Sequence, residues 1–193
     1  MFRIAVLAST KGTDLQAIID EMKAGKMPNI ELAVVISNKQ DAYALQRAKD
    51  QGYKAIFVDP KGKTREKFDQ EIAKILEEEK VDLVVLVGYM RILTSEFVRK
   101  FPKRIINVHP ALIPKFFGKN FFGANVHEAV LQAKEKETCM TIHYVEEGVD
   151  TGEIIIQKTC PVLPGDTPDT LKERVQSLEK HWYPEVIRQL AGK

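Results

Sequence analysis

The sequence predicts an α/β domain with a mostly parallel central sheet and helices on both faces. Three observations predict it. Apolar runs of strand length recur through the first half without polar alternation, as strands buried on both faces require. Segments with helical apolar spacing separate them, the βαβα rhythm of a parallel sheet. After Pro114 that rhythm loosens into a helix, two successive strands and a closing helix, which places an antiparallel element in the C-terminal half.

Phe2 to Ala8 form the first strand. The helix after it carries Leu15, Ile18, Ile19 and Met22 at i, i+3, i+4 and i+7, one apolar stripe. Thr13 and Gln16 have the spacing of a capping box at its start. Leu32 to Ile36 and Asp82 to Val87 are further strands, with helices at Tyr43 to Gln51 and Arg65 to Lys80. Arg104 to Val108 are rich in β-branched residues and are stopped by Pro110 and Pro114, neither of which can donate to a ladder. A helix near Ala124 to Ala133 precedes strands at Thr138 to Glu146 and Glu153 to Val162. Thr167 caps the last helix with Pro168 at its first position. Leu171, Val175, Leu178 and Trp182 form its apolar stripe, and Pro184 is expected to kink or restart it. No repeat, low-complexity tract or linker interrupts the chain, so residues 1–193 read as one domain.

Bulk properties exclude several functions. A net charge of +2 argues against nucleic acid or an anionic membrane as partner. No stretch approaches the roughly 20 apolar residues that span a bilayer. Residues 1–9 run into a helix and read as a strand, not a signal peptide. Cys139 and Cys160 lack metal-like spacing and cannot build a disulfide framework. His109, His127, His143 and His181 form no metal motif. The expectation is a reduced, cytoplasmic protein without a metal.

Five groups of residues carry chemistry. Asn107 and His109 lie two apart at the end of a strand. They share one face of the sheet's C-terminal lip, where open α/β folds bind ligands. The turn from Ala8 to Gln16 offers helix N–H groups and a dipole to an anion such as phosphate, with Gly12 permitting close approach; a plainly capped helix fits it equally well. The turn is neither a dinucleotide fingerprint nor a Walker A loop. Gly88 and Tyr89 read either as a pocket wall or as an ordinary turn with Met90 and Ile92 in the core. The turn from Glu146 to Gly152 brings Asp150, a carboxylate able to raise the pKa of a neighbouring imidazole. Gln176 and Glu179 are helix neighbours, a polar clamp or a solvated face.

Together these segments resemble the phosphoribosylglycinamide formyltransferase family, within the wider formyltransferase superfamily. The resemblance runs over essentially the whole chain. Its most specific parts are Asn107-Val108-His109-Pro110-Ala111-Leu112-Ile113-Pro114 and Val149-Asp150-Thr151-Gly152, supported by Met90 to Leu93 and Asp14 to Asp20. It implies a single-domain, three-layer Rossmann-like fold. It also implies transfer of the formyl group of 10-formyltetrahydrofolate, a co-substrate, to the amine of glycinamide ribonucleotide in purine biosynthesis. Asn107, His109 and Asp150 are the implied catalytic set. Asp150 keeps His109 protonated, and His109 and Asn107 donate to the oxyanion. Gly12, Thr13 and Asp14 are implied to hold the substrate phosphate, with Gln176 and Glu179 elsewhere on the ribonucleotide. Arg65, Met90, Arg91, Ile92, Leu93, Asn107, Glu146, Glu147, Gly148, Val149 and Asp150 are implied to bind the folate. About residues 1–100 form the phosphate-binding half and about 101–193 the catalytic and folate-binding half. The partners implied are small molecules alone, for a monomer or homodimer.

Three departures from the family pattern stand out. The phosphate turn reads Ser9-Thr10-Lys11-Gly12-Thr13-Asp14 where Ser-Gly-x-Gly-Ser-Asn is common, so a carboxylate replaces a neutral amide. Ala111 stands where many members carry Ser. Phe116 to Asn125 is long and rich in Phe and Gly: a flap, a dimer contact or a packing loop. Rival readings are a 10-formyltetrahydrofolate hydrolase, expected to carry an additional N-terminal domain, and a formyltransferase acting on another amine. Methionyl-tRNA formyltransferase is expected to need an extra C-terminal domain and a basic surface. A nucleotide-binding protein that has lost activity is disfavoured by the intact Asn107, His109 and Asp150.

Overall fold

A computed structural model describes residues 1–118 and 124–192. Strands β1 (Phe2–Ala8), β2 (Ile30–Ser37), β3 (Ala55–Phe57), β4 (Leu83–Val87), β5 (Ile105–His109), β6 (Glu137–Tyr144) and β7 (Ile154–Pro161) form one sheet of order β3-β2-β1-β4-β5-β6-β7. β1 to β5 run parallel, while β6 and β7 add antiparallel strands beside β5. The predicted fold class therefore holds. Sequence reasoning overlooked β3, three residues long, and α4 (Ser95–Lys100), six residues long.

The apolar runs supply both faces of the sheet, because side chains alternate along a strand. Ile4, Val6 and Ala8 join a core under α1 (Thr13–Lys23), α2 (Tyr43–Asp50) and α6 (Pro168–Ala191). Ala5 and Leu7 face the opposite layer, where α3 (Arg65–Glu78) contributes Phe68, Ile72 and Leu76, and α4 Phe97 and Val98. α5 (Ala124–Gln132) packs Val126 and Val130 against Leu171 in a smaller cluster. These are three layers, helix on sheet on helix.

Two expectations about helix geometry are corrected. α6 runs unbroken through Pro184, and its buried line is Leu171, Val175, Glu179, Tyr183 and Ile187. Leu178 and Trp182 are only partly buried at its margin. The i, i+4 ridge thus carries a carboxyl and a phenol into the interior. The fully buried Tyr183 hydroxyl lies 2.8 Å from Leu86 O and 3.1 Å from Ile106 O, pinning α6 across β4 and β5. The Thr167–Pro168 start is as expected, with Thr167 and Thr170 capping each other.

The second correction concerns α1. Gly12, not Thr13, caps the helix, in a left-handed conformation (φ 68°) and without a side-chain cap. Thr13 is the first helical residue. The Gln16 amide nitrogen turns instead to Asp20, 2.8 Å away. Gly12 is needed twice over: the backbone is left-handed, and an added Cβ would lie 2.8 Å from Ala44 Cβ.

Candidate active site

β5 places the first two groups. Its antiparallel pairing sets Asn107 opposite His143 and His109 opposite Thr141 on β6. Asp150 comes from the turn joining β6 to β7 and itself adopts φ 56°, a left-handed conformation that short polar residues tolerate. Gly152 makes the return possible, since a Cβ there would lie 1.8 Å from the Tyr144 carbonyl. The turn carries the carboxylate between the two strand residues. Asp150 Oδ2 lies 3.6 Å from His109 Nδ1, and Oδ1 lies 3.5 Å from both Asn107 Nδ2 and His143 Nε2. The three predicted groups converge.

His143 is the member that sequence reasoning missed. Its Nδ1 is 2.8 Å from Tyr144 O, so this nitrogen carries the proton, and Nε2 can accept from Asn107 Nδ2 at 3.3 Å. The two contacts together fix which end of the Asn107 amide faces the site. A bulge between Ile142 and His143 in the pairing with β7 sits at this point, where bulges commonly re-aim a side chain.

Two opposing influences act on the His109 imidazole. Burial pushes the His109 imidazole below its ordinary range; Asp150 and the Phe116 carbonyl oppose this, and His143 adds to it. His109 is buried, and desolvation outweighs its carboxylate. Burial thus works against the imidazolium that Asp150 favours, although both ring nitrogens face acceptors, Nδ1 towards Asp150 Oδ2 and Nε2 towards Phe116 O. Asp150 stays ionised: burial raises its carboxyl, but His143, His109 and the Gly118 amide together bring it below the usual range.

The segment after β5 closes over this cluster. The Ala111 carbonyl accepts from Thr141 Oγ1 at 2.7 Å, and Gln157 Nε2 donates to Ile113 O at 3.0 Å. His109 Nε2 donates to Phe116 O at 2.5 Å, and Gly118 N–H donates to Asp150 Oδ2 at 3.2 Å. Ala111 is fully buried. Of the Phe- and Gly-rich stretch Phe116 to Asn125, positions 119–123 lie outside the described residues.

A second polar centre lies at the switch point of the sheet, where β1 and β4 run side by side and the strand order reverses. Ser9 N–H donates to Gly88 O at 3.3 Å, Met90 N–H to Ser9 Oγ at 2.8 Å, and Ser9 Oγ to Asn38 Oδ1 at 2.6 Å. The first bond of α1 is Gln16 N–H to Gly12 O, so the amides of Thr13, Asp14 and Leu15 precede the helical ladder, as helix starts dictate. Asp14 and Glu179 are buried, each 6% exposed, where a solvated face had been one reading of Gln176 and Glu179. Gln176 is half-buried.

Comparison with known proteins decides the family. The formyl transferase family matches residues 2–187. The chain is 40% identical over 189 residues to a phosphoribosylglycinamide formyltransferase of Haemophilus influenzae, covering 97% of this chain and 86% of that protein. The chain belongs to the formyl transferase family.

Other relatives agree. A trifunctional purine biosynthetic protein adenosine-3 of Drosophila pseudoobscura pseudoobscura is 42% identical over 193 residues, covering 98% of this chain. The chain spans only 14% of that protein's length. The crystal structure of glycinamide ribonucleotide transformylase 1 from Symbiobacterium toebii superposes with a TM-score of 0.93 at 42% identity, covering 100% of this chain and 88% of the other.

Four of the remaining expected positions of this formyl transferase chain, Arg65, Ile92, Leu93 and Gly148, line one cleft of about 430 Å³; Met90, Arg91, Glu146, Glu147 and Val149 are not in its wall. Arg65 Nη2 donates to Ile92 O at 2.9 Å, bracing the loop after β4 from α3. Met90 and Ile92 are 48% and 46% exposed, so the core reading of this pair is corrected; Leu93 alone turns inward. The Arg91 guanidinium stacks 4.2 Å over the Phe68 ring. Glu146 is exposed and Val149 half-buried. Glu147 pairs with Arg99 on α4 at 2.9 Å, outside the catalytic cluster.

Proposed function

We propose that this chain transfers the formyl group of 10-formyltetrahydrofolate to the amine of glycinamide ribonucleotide, a step of purine biosynthesis. The observation that carries the reading is the convergence of Asn107, His109, His143 and Asp150 at one strand end, one parallel strand away from the helix start that offers free amides. The Haemophilus protein and the Symbiobacterium structure bear names for this activity, which supports it. Residues Gly12 to Asp14, with Gln176 and Glu179, serve the ribonucleotide. Arg65, the loop from Met90 to Leu93 and the turn from Glu146 to Asp150 serve the folate, whose flat ring suits a cleft with Ile92 and Leu93 in its wall. The division into a phosphate-binding half (about 1–100) and a catalytic, folate-binding half (about 101–193) follows, with Gln176 and Glu179 reaching back across it.

Formyl transfer makes one C–N bond and breaks another. The ribonucleotide amine attacks the formyl carbon, the bond to folate N10 breaks, and the proton lost by the amine ends on N10. Negative charge builds on the formyl oxygen as attack proceeds. Asn107 Nδ2–H and His109 Nε2–H are the donors that meet it, each of the kind worth roughly 2.7–4 kcal/mol. In the free site His109 donates to the Phe116 carbonyl, so the formyl oxygen takes the place of a protein acceptor. Charge on that oxygen favours the imidazolium, and Asp150 stabilises it from Nδ1. Asp150 is ionised and therefore able to receive the amine proton and return it to N10.

The test is an absorbance assay for loss of the formyl group from a 10-formyl folate, with and without glycinamide ribonucleotide. Loss that requires the ribonucleotide is the expected result. Loss at the same rate without it means hydrolysis and overturns the proposal.

A further inference from the structure

The departure at the phosphate turn has a structural counterpart. Asp14 is the second residue of α1, and Glu179 lies on the buried line of α6, the helix packed against α1. Both residues are 6% exposed, and Asp14 Oδ1 is buried with no hydrogen-bond partner among the described residues. A carboxylate so placed is costly, whereas a protonated carboxyl can donate to a neighbouring oxygen. The groups that face the pair are Lys172, Lys180 and Tyr183, all from α6. The Tyr183 hydroxyl is committed to the carbonyls of Leu86 and Ile106, so it does not supply the missing donor.

We propose that Asp14 and Glu179 act as one proton-holding carboxyl pair behind the α1 N-terminus, so that a phosphate monoester binds there together with a proton. The proposal rests on the reading of this turn as the ribonucleotide phosphate site and adds its regulation by pH. Burial raises Asp14 to about 6 against the opposing Lys180. Burial, and then the Asp14 charge, raise Glu179 well above its ordinary value against Lys180 and Lys172. A dianion on the Asp14 amide lies about one side-chain length from the Asp14 carboxyl. Phosphate then favours the protonated pair, and by reciprocity the proton favours phosphate. Affinity falls as pH rises above about 6, the range in which Asp14 loses its proton. An Asn at position 14, as in the common form of this turn, carries no titrating group and lacks the coupling.

The experiment is isothermal titration calorimetry of the full chain with glycinamide ribonucleotide near pH 7.5, in buffers of different ionisation enthalpy. The wild type is expected to take up a fraction of a proton per site. Asp14→Asn should remove that uptake and flatten the pH dependence of affinity, and Glu179→Gln, which leaves the Asp14 carboxyl in place, should reduce the uptake. The ligand's own phosphate is nearly fully ionised at this pH, and its contribution is common to all variants. Binding without uptake, or equal uptake in Asp14→Asn, overturns the coupling and leaves the functional reading standing. No binding by the wild type overturns the functional reading, and the coupling with it.

Discussion

His143 lends itself to a quantitative test because its role runs through another residue. Its Nε2 accepts from Asn107 Nδ2 at 3.3 Å while Nδ1 is held by Tyr144 O. His143→Ala removes the acceptor that tells one end of the Asn107 amide from the other. Losing a neutral hydrogen bond costs about 1 kcal/mol. An amide free to sit either way round adds about RT ln 2, roughly 0.4 kcal/mol, for a total near the 1.36 kcal/mol that makes a decade in rate. The expected effect is therefore about a tenfold fall in kcat with little change in KM. Asn107→Ala removes the donor itself and should cost about 10²- to 10³-fold. If His143 acts only by orienting Asn107, the double variant is no slower than Asn107→Ala alone, since coupled residues are not additive. Steady-state formyl transfer by the four proteins measures this cycle. A double variant slower than Asn107→Ala by a further factor of ten refutes the assignment and gives His143 an independent part in catalysis.

Other perturbations test separate features. Asp150→Asn should lower turnover by at least about 10²-fold and move the His109 titration to still lower pH, because the one carboxylate opposing desolvation is gone; an NMR titration of His109 that does not move contradicts this. Tyr183→Phe deletes a fully buried hydroxyl at nearly constant volume. The loss of about 1–1.5 kcal/mol should lower Tm by roughly 2–6 °C for a chain of this size, and an unchanged Tm argues against the link from α6 to β4 and β5. Asp14 has a folded-state pKa raised from 3.8 to about 6, so the folded protein holds that proton more tightly than the unfolded chain. The stability difference is absent below the unfolded value and builds as pH rises to about 6, reaching about 3 kcal/mol above it. Asp14→Asn should therefore be more stable than wild type at pH 8 in urea unfolding, with the gap closing near pH 4. A gap of the same size at both pH values removes the ionisation argument.

What the sequence revealed and what it concealed follow one physical division. β1, β2, β4 and β5 were legible because strands buried on both faces leave continuous apolar runs, and the long helices because their stripes repeat over several turns. β3 and α4 were not, because three and six residues are too few for a period to register. Asn107 and His109 could be placed together because the twofold strand period is local. His143 meets them only through the register of β5 against β6. Its single sequence signal is that Thr141 and His143 share a face opposite Met140 and Ile142, which any half-buried strand also shows. The same blindness acted on α6, where hydrophobic spacing selected Leu178 and Trp182 for the interior while Glu179 and Tyr183 occupy it. It also acted on His109, whose pKa is lowered by a burial that no residue type announces. In each case the apolar pattern misjudged a polar side chain on an inward face. Burying such a group costs stability unless it is partnered, a cost that His143 escapes through Tyr144 O and Asn107 and that Asp14 Oδ1, without a partner among the described residues, does not.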